Sequence, residues 1–171
     1  MKKVVKFLLI IWPLIGDVSE IEAEILKTKP LDKAISYCSK GDEYGIGYCS
    51  GVRNTIRAML PYTKSWPQSW QCLPRKLEIE SDLKAIANEL NKIHAGLVVV
   101  NRDFSGDIKA AKMAFIAKVD NLLEKHGPNH PYVNGQVEEA DLVFTVPNEF
   151  TGEESVSEII MLAYHQIHKC K

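Results

Sequence analysis

The chain has 171 residues, 46% of them hydrophobic and 25% charged, and its formal net charge is −1. This balance of charge argues against nucleic acid or an anionic membrane surface as the partner. The length fits a targeting segment followed by one domain that is large enough to bury a core of its own.

The first residues have the pattern of a secretory signal peptide. Three lysines precede an apolar run at 7–15, and an acidic stretch follows. The run is too short to cross a membrane, which takes roughly 20 apolar residues. We predict a signal peptide at 1–23, cleaved after Ala23, and a single helical domain at 24–171. Cleavage after Gly16 and a retained membrane anchor are the alternatives.

Apolar residues at helical spacing predict two helices in the first third of the chain. The first follows Pro30 and ends before the turn-rich segment SKGDEYG; its apolar face carries Leu31, Ala34, Ile35 and Cys38. The second is stopped by Pro61, and its apolar face carries Cys49, Val52, Ile56, Met59 and Leu60. Both cysteines are therefore expected to point inward.

A third helix is predicted after Ser81, the expected N-cap, with apolar residues at helical spacing as far as Ile93. The β-branched segment at 97–100 fits either a short strand or a continuation of this helix. A turn at 103–107 with an N-cap candidate precedes a fourth predicted helix at 108–125.

The last third of the chain is less regular. Residues 132–152 are mixed, and the segment ADLVFTV at 140–146 fits either a strand or a short helix. Ser155 and Glu158 have the spacing of a capping box in front of an amphipathic last helix. The predicted fold class is therefore mainly α: a compact bundle of about five helices with at most one small sheet.

Four cysteines behind an export signal predict two disulfides and an oxidising compartment, the periplasm. If the first two helices pack antiparallel, Cys38 pairs with Cys49, which leaves Cys72 for Cys170. The competing arrangement pairs Cys38 with Cys170 and Cys49 with Cys72. The loop-entropy model gives the short link about 2–3 kcal/mol and the long link about 4–5 kcal/mol.

No set of residues typical of catalysis stands out, so we expect a protein that is not an enzyme and has no cofactor or metal. His165 and His168 are three residues apart on the last helix and fit a metal pair, but surface histidines are the favoured interpretation. Asp103 and Asp107 lack the full ligand series of a calcium loop and are interpreted as turn and cap residues.

The strongest candidates for contact with a partner protein are Trp66 and Trp70, in the proline-bracketed linker at 61–74. Tryptophan is over-represented among interface hot spots. Packing against the core beneath a Cys72 bridge is the alternative for each. Five acidic residues in the last third are interpreted as a solvated face, with a basic partner as the alternative: Glu138, Glu139, Glu153, Glu154 and Glu158.

The cysteine fragments together resemble the Rap/Tai-type immunity proteins, which neutralise peptidoglycan amidase toxins of type VI secretion systems. The likeness covers 31–74 and 155–170. It is carried by Tyr37-Cys38, Tyr48-Cys49-Ser50-Gly51-Val52, Cys72-Leu73-Pro74 and the last helix VSEIIMLAYHQIHKC, which ends at Cys170. The chain departs from the family at Val52, Thr55 and Lys169, and 77–107 and 132–152 look like additional material.

The resemblance implies an exported, non-enzymatic and mostly helical inhibitor that dimerises and blocks an amidase by inserting a loop. No functional residue of the family maps onto this chain. The alternative hypothesis is a periplasmic stress protein similar to the small Hde-type acid chaperones. A third is an enzyme with a metal centre at His165 and His168.

Overall fold

The computed structural model describes residues 26–39, 43–59, 78–128 and 130–168. Within these ranges the chain forms six helices and no strand, which confirms the mainly α fold class. The helices are α1 (Lys29–Ser39), α2 (Glu43–Met59), α3 (Ile79–Phe104), α4 (Ile108–His126), α5 (Pro131–Thr145) and α6 (Val156–His168).

The first two helices follow the predicted apolar pattern. Pro30 lies in the first turn of α1, where its missing N–H costs nothing because that donor has no partner within the helix. Leu31, Ala34 and Cys38 are buried along one face of α1. On α2, Cys49 and Ile56 are buried as expected.

The third helix is longer than the pattern indicated. Residues 97–100 continue it as a helix, so the alternative of a strand there is wrong. Leu97, Val99 and Val100 are buried, and burial on a helix packed from several sides outweighs the preference of valine for strands. Ser81 lies inside α3 and is not its N-cap, because the helix begins after Glu78.

The fifth helix is the one that the sequence pattern left open. Pro131 begins it, and the Nδ1 atom of His130 accepts a hydrogen bond from the backbone N–H of Tyr132 at 3.3 Å. Residues 140–145 are helical, which excludes the strand interpretation. The described residues therefore contain six helices where about five were predicted. Tyr132 and Phe144 are apolar but exposed, so the apolar residues of α5 do not form a single stripe.

The third helix is the centre of the fold and contacts each of the other five helices. It therefore belongs to the core, although the family resemblance treats 77–107 as additional material. At its crossing with α5 the backbones meet closely at Gly96. A Cβ atom there would lie 2.2 Å from the carbonyl oxygen of Leu142. Only a glycine allows this approach, so Gly96 sets the distance between the two helices.

The last helix begins with the predicted capping box. The backbone N–H of Ser155 donates to Glu158 Oε2 at 2.7 Å, and the backbone N–H of Glu158 donates to Ser155 Oγ at 3.3 Å. This helix packs against α1, α2 and α3, so segments far apart in sequence share one core. None of the helices in the described ranges combines the length and apolarity needed to cross a membrane.

Candidate functional site

A disulfide closes the hairpin formed by α1 and α2. Cys38 and Cys49 are bonded, with Cα atoms 5.4 Å apart, and both side chains are buried. The bond confirms the first link of the preferred pairing and excludes the competing arrangement. Cys72 and Cys170 lie outside the described residues, so their link stays a prediction.

Three tyrosines form a cluster beside this disulfide. Tyr37 and Tyr48 each neighbour a bonded cysteine, and their ring centroids are 5.3 Å apart. Tyr44 lies one helical turn before Tyr48, 6.0 Å from the ring of Tyr37, and is 68% exposed. The ammonium group of Lys33 lies 5.5 Å from the centroid of Tyr37. We call Tyr37, Tyr44 and Tyr48 the tyrosine cluster; the disulfide holds it on a fixed backbone.

An apolar groove runs from the tyrosine cluster between α2 and α6. It encloses about 530 Å³ and is lined by Tyr48, Gly51, Val52, Thr55, Ile56, Ser157 and Met161. We call it the α2/α6 groove. A second groove, of about 680 Å³, lies between α1, the start of α2 and α3, and it has a more polar lining that includes two asparagines and a lysine. Large apolar side chains at the edge of a concave surface are typical of sites that bind a protein or small molecule.

Two glycines are exposed on α2, Gly47 and Gly51, and Gly51 lines the α2/α6 groove. A glycine inside a helix costs about 0.5–1 kcal/mol of stability relative to alanine. A Cβ atom at either position would meet no described atom within 4 Å, so packing among the described residues does not require glycine there. Within the described residues, the α2 backbone is therefore uncovered at both positions.

An acidic recess adjoins the groove on the other side of Met161. It encloses about 300 Å³ and is lined by Glu149, Glu154, Glu158, Met161, Leu162 and His165. Hydrogen bonds from the side chain and backbone of Ser155 hold the pKa of Glu158 below its usual range. Glu154 accepts hydrogen bonds from the backbone N–H groups of Thr151 and Gly152 at 2.7 and 2.9 Å. Hydrogen bonds thus hold both carboxylates in place. We call this feature the glutamate recess.

A buried ionic cluster joins α2 to α3. The Nε and Nη2 atoms of Arg53 each lie 2.7 Å from Asp82 Oδ2. Arg53 is 5% exposed and Asp82 is 2% exposed. Each of these charges would be costly to bury without the other, so the ion pair fixes the position of α2 against α3.

The same carboxylate is approached from α6. His168 Nε2 lies 3.6 Å from Asp82 Oδ1, which is beyond hydrogen-bond range. The imidazole packs edge-on against the ring of Tyr164, with centroids 4.6 Å apart. Arg57 Nη1 donates to the hydroxyl of Tyr164 at 3.4 Å and lies 3.7 Å from Asp82. The cluster thus connects α2, α3 and α6.

Burial governs the titration of the two aromatic members of the cluster. It raises the pKa of the Tyr164 phenol, because the phenolate would lose hydration. It lowers the pKa of His168 below the ordinary value of 6.5, and the nearby positive charges of Arg57 and Arg53 act in the same direction. Asp82 opposes this shift without reversing it. The His168 imidazole is therefore neutral at neutral pH.

The remaining candidates from the sequence are scattered. His168 belongs to the ionic cluster and is not a surface histidine; among the described residues no group of three potential metal-binding side chains comes together. Asp107 caps α4 by accepting from the backbone N–H of Ala110 at 2.8 Å, and Asp103 pairs with Arg102. Trp66 and Trp70 lie outside the described residues, so their role stays a prediction.

Sequence reasoning missed both the groove and the ionic cluster. One signal was present: Arg53 lies between Val52 and Ile56, four residues after Cys49. A charged residue on an inward helical face indicates a buried partner. The identity of that partner, Asp82, follows only from the packing of α2 on α3 and has no local signature.

The fold and the site together define an all-α protein with a disulfide-fixed surface that combines tyrosines, an apolar groove and an acidic recess. The chain matches no protein-family model, no curated protein and no solved structure.

Proposed function

We propose that the protein is an exported, non-enzymatic binding protein that neutralises a peptidoglycan amidase toxin of a type VI secretion system. The Cys38–Cys49 bond supports the export, because disulfides persist mainly in oxidising compartments such as the periplasm. The resemblance of the cysteine fragments to the Rap/Tai-type immunity proteins supplies the class of partner.

One observation carries the proposal most directly. The two stretches with the resemblance, 31–74 and 155–170, are far apart in sequence, yet their helices α1, α2 and α6 contact one another. The α2/α6 groove and the tyrosine cluster lie on this shared surface. Tyrosine is enriched at interface hot spots, and a fixed backbone lowers the entropy lost on binding.

The direct test measures binding of the purified, oxidised protein to a peptidoglycan amidase and the survival of cells that export both. We expect binding together with protection from lysis. The Tyr44→Ala variant should weaken binding by about thirtyfold or more, since a hot-spot aromatic contributes about 2 kcal/mol or more. Tyr132, a tyrosine of α5 that is 55% exposed, supplies the control variant Tyr132→Ala, which should bind normally.

Absence of binding to amidases, with the disulfide intact, would contradict the proposal. Equal loss of binding in the two tyrosine variants would mean that the interface does not lie on the α1–α2 hairpin.

A second function, an Hde-type acid chaperone, is favoured by a different observation. His168, at the end of α6, is held neutral where it faces α2 and α3, and its neighbours are Arg53, Arg57, Asp82 and Tyr164. Its protonation in acid would add a positive charge beside two arginines and loosen the contacts of α6. Binding of a hydrophobic dye at about pH 2–3, with recovery on neutralisation, is the expected result for a chaperone. A protein that works only as an immunity factor needs no such reversible exposure.

A further inference from the structure

We propose that the α2/α6 groove and the glutamate recess together bind one segment of a partner protein, which presents an apolar side chain to the groove and a lysine or arginine to the recess. This inference rests on the proposed function only in taking the groove as a protein-binding surface. It adds the chemistry of the segment that binds there.

The apolar half of the segment follows from the lining of the groove. Tyr48, Val52, Ile56 and Met161 present aromatic and aliphatic surface, and Ile56 closes the floor at 2% exposure. Gly51 leaves the α2 backbone open at the edge, since no described atom lies within 4 Å of the position of a Cβ. A bound segment can therefore approach α2 at backbone distance while it buries an apolar side chain.

The basic half follows from the charge of the recess. Met161 lines both the groove and the recess, so the two surfaces are adjacent. The lining of the recess contains three carboxylates and no lysine or arginine, with His165 as its one basic side chain. Two of these carboxylates are fixed by hydrogen bonds within the turn before α6, from Thr151 to Glu154 and from Ser155 to Glu158. A preorganised cluster of anions complements a cation and disfavours an acidic segment.

The test uses the full-length oxidised protein and three short fluorescein-labelled peptides of equal length. The first contains leucine and lysine, the second leucine and glutamate, and the third serine and lysine. Fluorescence anisotropy gives the affinity of each peptide, and the methyl resonance of Met161 reports contact at the boundary of groove and recess.

Two variants address the two halves, each with a matched control. Gly51→Leu fills the groove, while Gly135→Leu places the same side chain on α5, where a Cβ also meets no described atom within 4 Å. Glu149→Lys reverses one charge of the recess, while Glu138→Lys makes the same change at an exposed position of α5. Neither control position lines the groove or the recess.

We expect the leucine–lysine peptide to bind and to shift the Met161 resonance, and the other two peptides to bind more weakly. Gly51→Leu should weaken binding by about tenfold. Glu149→Lys should weaken it by about two- to fivefold, with a marked dependence on salt. Both control variants should bind like the native protein.

Equal binding of the leucine–glutamate peptide, or native affinity in both test variants, would overturn the inference. So would a native protein that binds none of the peptides, as expected if another part of the chain or a second copy fills the groove. These outcomes are independent of the amidase assay. Selective peptide binding without amidase binding would uphold this inference and contradict the proposed function. Amidase binding without selective peptide binding would contradict this inference and uphold the proposed function.

Discussion

Asp82 is the residue whose removal should disturb the fold most. It is 2% exposed and neutralises the buried guanidinium of Arg53. We expect Asp82→Asn to lower the free energy of unfolding by about 3–5 kcal/mol, because a buried charge loses its partner. Denaturant unfolding measures the change. Asp120→Asn, at an exposed position of α4, is the control and should alter stability by less than about 0.5 kcal/mol. Similar stabilities for the two variants would show that the buried pair contributes little.

His168 gives the protein a predictable response to acid. Because burial lowers its pKa in the folded state, the unfolded chain takes up a proton more readily. The contribution of His168 to stability is therefore complete above the unfolded pKa of about 6.5 and is lost as pH falls through the lower, folded pKa.

The corresponding measurement compares denaturant midpoints at about pH 7.5 and about pH 5.5 in the native protein and in His168→Gln. The native protein should lose more stability on acidification than the variant. His126→Gln, at the exposed end of α4, should behave like the native protein. If His168→Gln loses as much stability on acidification as the native protein does, the acid response belongs to the carboxylates and not to His168.

At this scale the sequence predicted residues whose partners are close in the chain. The capping box of Ser155 with Glu158 and the N-cap at Asp107 are both confirmed. They could be predicted because each hydrogen bond spans only three residues. The ion pair of Arg53 with Asp82 spans 29 residues and was not predicted. Such a pair exists only once two helices have packed, so no local pattern encodes it.

Two glycines test how the helices are arranged. Gly51 lies inside α2, and no described atom lies within 4 Å of the position of a Cβ, so Gly51→Ala should stabilise the protein by about 0.5–1 kcal/mol. Gly96 lies where α3 crosses α5, and a Cβ there would sit 2.2 Å from Leu142 O. Gly96→Ala should destabilise the protein by about 1–3 kcal/mol, because the two helices must separate.

Thermal unfolding of the two alanine variants provides the comparison. Opposite signs support both the close crossing of α3 with α5 and the exposure of Gly51. A loss of stability in Gly51→Ala would mean that the α2 surface is already in contact within the free protein. If a partner approaches α2 at Gly51, the Gly51→Ala variant should be more stable than the native protein and should bind the partner more weakly.

The elements that the sequence predicted well are those with one apolar face. Helices α1, α2, α4 and α6 each bury one side, and their periodicity identified them. Helix α5 also carries the exposed apolar residues Tyr132 and Phe144, so the pattern at 132–152 looks mixed. The end of α3 is ambiguous for another reason, because its buried valines lie in a helix that is enclosed on several sides.

For the whole molecule, the positions of the cysteines in the sequence predicted the α1–α2 hairpin. They did not predict the binding surface that this hairpin supports. The bond of Cys38 with Cys49 brings Tyr37 and Tyr48 together, and both tyrosines adjoin cysteines in the sequence. The groove needs α6 to return against α2 after more than ninety residues of chain. Periodicity alone does not predict that α2 and α6 come together as the two sides of the groove. It does not predict the glutamate recess beside the groove either.

We propose that the surface shared by α2 and α6 is covered when the protein binds a peptidoglycan amidase. Hydrogen–deuterium exchange of the oxidised protein, alone and with the amidase, tests this proposal. We expect slower exchange on binding along α2 and the first turns of α6, with α4 and α5 unchanged. Slower exchange confined to α4 and α5, or no change at any helix in the presence of the amidase, would contradict it.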